Sequence, residues 1–133
     1  MTQEKIARTV RLGQKPEAIP DVVKFKGLDG AEYMIPVTFK YRTLTEFGAF
    51  LDEIFSQPLP VADTADGVLS SKTVQQSKVN TNGQYLFQII KDWGLDVPLS
   101  LQACIQLVDE MPAAAQALMS RYRELITEGR AGN

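Results

Sequence analysis

The feature that most constrains this chain lies between residues 22 and 41. Residues 22–25 and 33–41 are rich in β-branched and aromatic side chains, and Gly27 and a Leu28, Asp29, Gly30 turn stand between them. Asp-Gly between alternating apolar runs is a strong hairpin signal, because both positions tolerate the positive φ that a tight turn needs. In the second run Val37, Phe39 and Tyr41 point to one face while Thr38, Lys40 and Arg42 point to the other, the pattern of an antiparallel strand buried on one side. Pro36 cannot donate to a ladder, so that part of the strand is expected at an edge or a bulge.

A helix is predicted directly after the hairpin. Thr43 and Glu46 have capping-box spacing, in which each side chain satisfies the other residue's free backbone N–H. Phe47, Phe50, Leu51, Ile54 and Phe55 then recur every three or four residues, a stripe suited to packing on the apolar face of the hairpin. Pro58 and Pro60 end that helix. From Gln84 the helical pattern returns: Tyr85, Leu86, Ile89, Ile90 and Trp93 share one face, and Gly94 is placed to stop it. Ser100 is a good N-cap for a third helix carrying Leu101, Cys104, Ile105 and Val108. Pro112 suits the first turn of a last helix, with Ala115, Leu118, Met119, Tyr122, Leu125 and Ile126 on one side and Gly129 at its end. The expected class is α+β: an N-terminal antiparallel hairpin packed against a cluster of about four helices, the later ones gathered with the first.

The remaining segments carry little patterning. Residues 1–20 scatter Ile6, Val10 and Leu12 among polar residues and prolines, and read as a poorly ordered arm that could extend the hairpin. Residues 56–83 are dominated by Ser, Thr, Gln, Asn, Asp, Gly and Pro, and read as a flexible loop within one domain rather than a defined binding loop. A short helix around residues 71–77 is the alternative left open there. A chain of 133 residues fits a single domain, divided into the arm, the hairpin with its first helix (21–55), the loop (56–83) and the helical part (84–133).

Composition excludes several chemistries. Histidine is absent and Cys104 is the only cysteine, which removes the commonest metal ligand and general base and any disulfide framework. The balance of 14 basic and 16 acidic residues argues against a generic nucleic-acid binder. Lys24, Lys26, Lys40 and Arg42, and Arg121, Arg123 and Arg130 near the C-terminus, read as wet surface. No run approaches the roughly 18 apolar residues of a membrane span, nor is there a signal-peptide pattern, so a cytosolic protein is expected. Asp52, Glu53, Asp109, Glu110, Glu124 and Glu128 fall mostly opposite the apolar stripes and read as solvated faces. Cys104 lies on an apolar face without a basic neighbour and reads as a core residue. Trp93 could anchor an interface, but its spacing from Leu86, Ile89 and Ile90 favours burial. No catalytic, cofactor-binding or metal-binding residues stand out, and nothing fixes an oligomeric state.

Two stretches, PVTFKYRTLTEFGAFLDEIF at residues 36–55 and WGLDVPLSLQACIQLVDEMPAAAQALMSRYRELITEGRAGN at residues 93–133, occur in an informative order. A strand ending in Phe-Lys-Tyr-Arg leads into a helix. Later come a turn containing Trp93, a helix from Ser100 and Leu101, a step at Met111 and Pro112, and Tyr122 midway down the final helix. This order resembles the phage tail assembly chaperone families. Met111 stands where an aromatic residue is expected before Pro112.

The resemblance implies a non-enzymatic chaperone for a long phage tail, working in the bacterial host cytoplasm and absent from the mature virion. Its implied partners are the tape measure protein and the tail-tube protein, with no cofactor, nucleic acid or membrane. A structural tail or connector subunit retained in the particle is the alternative. Such a chaperone needs an apolar surface for a helical client. The expected partner-binding residues are Phe47, Phe50 and Phe55 of the first helix with Leu118, Tyr122 and Leu125 of the last, forming a groove with residues 56–83 as a movable cover.

Overall fold

A computed structural model of the chain describes residues 7–56 and 69–130. Two long strands, β1 (Ala18–Lys26) and β2 (Glu32–Lys40), are followed by helices α1 (Leu44–Phe55) and α2 (Ser71–Ile89). A short strand β3 (Ile90–Trp93) precedes helices α3 (Leu101–Glu110) and α4 (Pro112–Glu128). The three strands form one antiparallel sheet in the order β1-β2-β3, so the fold is α+β, as the sequence indicates.

The hairpin pairs Ala18 with Lys40 through to Lys26 with Glu32. It therefore begins four residues before the expected strand, taking in part of the arm. The outer position of β1 accommodates Pro20 opposite Thr38. At the tip only Gly30 takes a positive φ, 79°. Asp29 contributes through its carboxylate instead, accepting from the Ala31 N–H at 3.0 Å and from the Tyr33 hydroxyl at 2.5 Å.

The largest departure from the sequence reading is at residues 84–93, expected as one helix. The helix ends at Ile89, and Ile90–Trp93 pairs with β2: Val37 with Trp93, Thr38 with Asp92, Phe39 with Ile90. Lys91 is the extra residue of a β-bulge. That insertion puts Ile90 and Trp93 on the same buried side despite a three-residue spacing, so a bulged strand imitates helical periodicity. Since β3 ends at Trp93, Pro36 meets only Gly94 on the side away from β1, where the Gly94 N–H donates to the Pro36 carbonyl at 2.8 Å. That stretch of β2 is a local edge, where a missing donor is tolerated.

The second departure is α2, whose first thirteen of nineteen residues lie in the stretch expected as loop, so that the short helix left open around residues 71–77 forms and runs on. Ser70 caps it, accepting from the Thr73 N–H at 3.1 Å. Polar residues fill most of its first turns, and its contact with α3 is made by a small residue. A Cβ on Gly83 would lie 2.5 Å from Ile105 Cγ1 and 2.9 Å from the Ile105 Cα, so glycine lets the two helices meet at backbone distance. The expected cover at residues 57–68, like residues 1–6 of the arm, lies outside the described residues.

The other boundaries follow local chemistry. Both capping-box bonds form, Thr43 N–H to Glu46 at 2.9 Å and Glu46 N–H to Thr43 at 3.1 Å. Ser100 caps α3, accepting from the Ala103 N–H at 3.0 Å. Pro112 opens α4, and Gly129 closes it at φ 67°.

The buried residues form one cluster running from Val23, Ile35, Val37 and Phe39 of the sheet to Leu118, Tyr122, Leu125 and Ile126 of α4. Helix α4 lies against β1, and α1 packs chiefly on α2 and α4 rather than on the hairpin face that its stripe was expected to cover. Tyr122 joins these layers. Its ring centroid is 5.4 Å from Phe39 and 5.7 Å from Phe47, the latter edge-on. Its hydroxyl donates to the Lys40 carbonyl and accepts from the Arg42 guanidinium, both at 3.0 Å. Arg42 also donates to the Gln88 carbonyl at 3.1 Å and lies 4.3 Å over the Phe50 ring.

Candidate functional site

Of the side chains expected to bind a partner, Phe47, Phe50, Leu118, Tyr122 and Leu125 are buried in the core. Phe55 alone is open, at 61% exposure. The structure brings Phe47 and Phe50 against Tyr122 and Tyr85, in edge-on ring pairs at 5.7 and 4.9 Å. Phe55 tilts toward Tyr85 at 6.2 Å from the outside. The space between α1 and α4 is thus filled by the residues expected to line it.

Open apolar surface lies elsewhere, at the tip of the hairpin. Phe25 and Tyr33 stack across β1 and β2 at 5.8 Å and form one wall. Trp93 is buried, as its spacing suggested, and its indole N–H donates to the Val97 carbonyl at 2.8 Å. This bond folds the connector after β3 so that Leu95 and Val97 form a second wall. The third wall is the side of α3 that carries Ala103, Gln106 and Leu107, ending at the bend between α3 and α4. Met111 makes that bend, with φ −135° and ψ 68°, standing between the helices as the C-cap of α3 and the N-cap of α4.

These walls enclose a cavity of about 280 Å³, lined mostly by apolar atoms. A second cavity of about 420 Å³ continues from it around the hairpin tip, sharing Phe25, Tyr33, Glu110 and Met111 and adding Leu28 and Pro112. Leu28, Tyr33, Met34, Val97 and Met111 are all exposed large apolar side chains on this rim or lining. They constitute a contiguous groove rather than scattered surface residues, the kind of patch that marks an interaction site. Its polar groups are Asp96, Glu110 and Asp29, with Lys26 and Gln106. The Tyr33 hydroxyl, with the Ala31 N–H, holds the Asp29 carboxyl below its ordinary range, so it is charged at neutral pH.

One flank of this groove is unfinished sheet. Strand β2 pairs with β3 only from Val37 to Phe39, and the Gly94 to Pro36 bond is the last on that side. Among the described residues, no strand pairs with residues 32–35 of β2 on the side away from β1. Backbone polar groups on an open edge are available to an added strand.

Little in the sequence marked this site. Leu28, Met34, Val97 and Met111 sit in a turn, on the wet face of a strand, in a connector and at a helix bend, and none belongs to a periodic stripe. The nearest signal is Met111 itself, where the family resemblance calls for an aromatic residue.

Cys104 is fully buried, and burial pushes its thiol up to about 11, which leaves it a core side chain rather than a nucleophile. No group of three or more acidic or thiol side chains able to hold a metal ion occurs among the described residues. No helix among them is long and apolar enough to cross a membrane.

The family model described as phage tail assembly chaperone matches residues 6–133, nearly the whole chain. No curated protein and no solved structure matches it.

Proposed function

The chain belongs to the phage tail assembly chaperone family, and from that premise we propose that it holds the tape measure protein during tail assembly and helps recruit tail-tube subunits around it. The observation that carries this reading is the apolar groove at the hairpin tip. On this reading the client is a long helical chain with an apolar face to be covered. A groove of this shape takes one apolar face of such a segment, in the helix-in-groove manner, while Asp29, Asp96 and Glu110 on its walls meet the polar flanks. The work is binding and release, with no bond made or broken, in the cytoplasm of the host.

Phe55 is a second contact in this proposal. It projects from α1 with Phe47, Phe50, Leu118, Tyr122 and Leu125 packed behind it. Those residues act as a rigid support, with Phe55 as the point that reaches a partner.

The test is co-expression with the tape measure protein followed by pull-down. The chain is expected to keep that protein in the soluble fraction and to co-purify with it. Met34→Glu combined with Met111→Glu should lower capture at least about tenfold, the scale of apolar anchors in an interface. Failure of the unsubstituted chain to bind or solubilise the tape measure protein refutes the proposal. Loss of capture with Phe55→Glu but not with the groove substitutions moves the contact to α1. Finding the chain in purified particles favours the structural tail or connector subunit instead.

A further inference from the structure

We propose that the open edge of β2 at residues 32–35 takes a short, extended, basic segment of the partner as an added strand, beside the helical face that covers the groove. This rests on the groove as the partner site, and it adds a backbone contact and a charge preference to that reading.

The backbone supplies the first argument. Along an antiparallel strand, successive residues turn their N–H and C=O groups to opposite neighbours. The Pro36 carbonyl accepts from Gly94, on the side away from β1. Met34 and Glu32, two and four residues earlier, therefore turn their backbone groups to that same side. The Gly27 N–H to Ala31 carbonyl bond, 3.0 Å, fits the alternation, since it puts the odd-numbered residues on the β1 side. No described strand meets Met34 or Glu32 at the open side, and Met34 is 62% exposed. Two donors and two acceptors thus stand in line, in the order that one further strand satisfies. The edge is short. The chain leaves it at Gly94, held by the Trp93 indole bond to the Val97 carbonyl, and the turn at Leu28 closes the other end. That leaves room for about four residues at roughly 3.4 Å each.

The shape of the cavity supplies the second. It measures about 280 Å³ beside this edge, and Tyr33, Ile35, Trp93 and Leu95 are among its walls. A helix with its side chains is about 10 Å across, so it rests on the rim of such a space. A strand on the edge instead sends every second side chain inward. Backbone bonds then give affinity and the cavity selects apolar side chains at alternate positions, the mode of strand addition.

Charge supplies the third. Asp96 on the connector and Glu110 on α3 line the cavity, and the charged Asp29 carboxylate lies at the hairpin tip. Lys26 is the basic residue of the lining. Glu32, on the edge itself, is matched by Lys24 at 3.8 Å. Three carboxylates against one lysine favour lysine or arginine on the incoming segment, whose long side chains reach the walls while their stems cover apolar surface. Charge of this sign speeds encounter, sets register and rejects an acidic segment.

The experiment uses the full chain and three synthetic peptides with blocked ends. One alternates lysine with leucine, the second replaces lysine by glutamate, and the third is the lysine peptide with alternate backbone amides methylated. Trp93, the single tryptophan, reports binding from the cavity wall by its emission, and hydrogen exchange reads the Glu32 and Met34 amides. The lysine peptide should shift the emission, slow exchange at both amides, and bind at least about tenfold more tightly than the glutamate peptide. Methylation on the edge-facing side should weaken it at least about tenfold. Met34→Pro should do the same. The Met34 N–H faces away from β1, so no hairpin bond is lost and proline suits an edge; circular dichroism checks the fold. Met34→Leu should bind normally. Asp96→Asn combined with Glu110→Gln should remove both the preference for lysine and the weakening by salt.

Equal binding of the lysine and glutamate peptides overturns the proposal. So does binding that survives methylation or Met34→Pro, binding without slowed exchange at Glu32 and Met34, or no binding up to about 1 mM peptide. Tape measure capture that is lost in Met34→Glu but kept in both Met34→Pro and the Asp96→Asn, Glu110→Gln pair overturns the added strand and leaves the client reading standing. Peptide binding with slowed amides, but no tape measure capture by the unsubstituted chain, supports the strand site and refutes the client reading.

Discussion

Replacing Tyr122 with phenylalanine separates the two jobs of that residue. The ring keeps its contacts with Phe39 and Phe47, 5.4 and 5.7 Å between centroids, so no cavity opens. Only the hydroxyl goes, and with it one bond to the Lys40 carbonyl and one from the Arg42 guanidinium, each 3.0 Å. A neutral hydrogen bond contributes about 0.5–1.5 kcal/mol net and one to a charged group about 1.5–3 kcal/mol. Arg42 is half-buried and keeps the Gln88 carbonyl and the Phe50 ring, so water and these partners soften the loss. The expected destabilisation is about 2 kcal/mol. With a urea slope of about 1–3 kcal/mol per M for a chain of this size, the unfolding midpoint should fall by roughly 1 M. A double-mutant cycle with Arg42→Met should give a coupling of about 1 kcal/mol or more, as expected for side chains in one network. A Tyr122→Phe midpoint within about 0.2 M of the parent, or a coupling near zero, refutes the claim that this bonded pair ties β2, α1 and α4 together.

Gly83→Ala should destabilise by about 1–3 kcal/mol through overpacking against Ile105, even though alanine is the better helix former by about 1 kcal/mol. Thermal unfolding decides it, and a rise in midpoint would mean that α2 and α3 do not meet so closely. The Cys104 thiol is raised from 9.0 to about 11 in the fold, so the unfolded chain loses its proton first. The stability this provides is complete below about pH 9 and lost as pH rises to about 11. Cys104→Ala should flatten that part of a plot of urea midpoint against pH, and a thiol reagent should react slowly until the chain is unfolded. The Asp21 carboxylate, bonded by Arg121 of α4, holds that helix to β1 with both side chains 21% exposed. Asp21→Asn should cost about 1 kcal/mol, and the difference should shrink in salt if it is an ion-pair effect.

The elements that were legible in the sequence are those whose signal is local. Thr43 and Glu46 cap each other within a single turn, and Ser100, Pro112 and Gly129 mark helix ends by their own backbone chemistry. What was not legible depends on distant partners. Ile90 and Trp93 have helical spacing, and only pairing with Val37 and Phe39, with Lys91 squeezed out, makes them a strand. Helix α2 has no apolar stripe over its first turns, since its meeting with α3 is made by the absence of a side chain at Gly83. The sequence reading placed the aromatic residues on apolar stripes suited to packing and also expected them to line a partner groove. Phe47, Phe50 and Tyr122 are instead consumed by packing on one another, and the open surface falls to residues without any periodicity. The groove draws on the hairpin tip, the connector and the α3–α4 bend, which no window of consecutive residues contains.

The passage from α2 to β3 leaves no residue between helix and strand, Ile89 ending one and Ile90 beginning the other. One residue added before that point would turn everything preceding it by about 100° around the helix axis. One added after it would exchange the two faces of the strand. Between Gly83, pressed on Ile105, and Gly94, pressed on Pro36, the chain behaves as a fixed-length ruler. Variation among related chains should therefore change letters in this interval without changing their number.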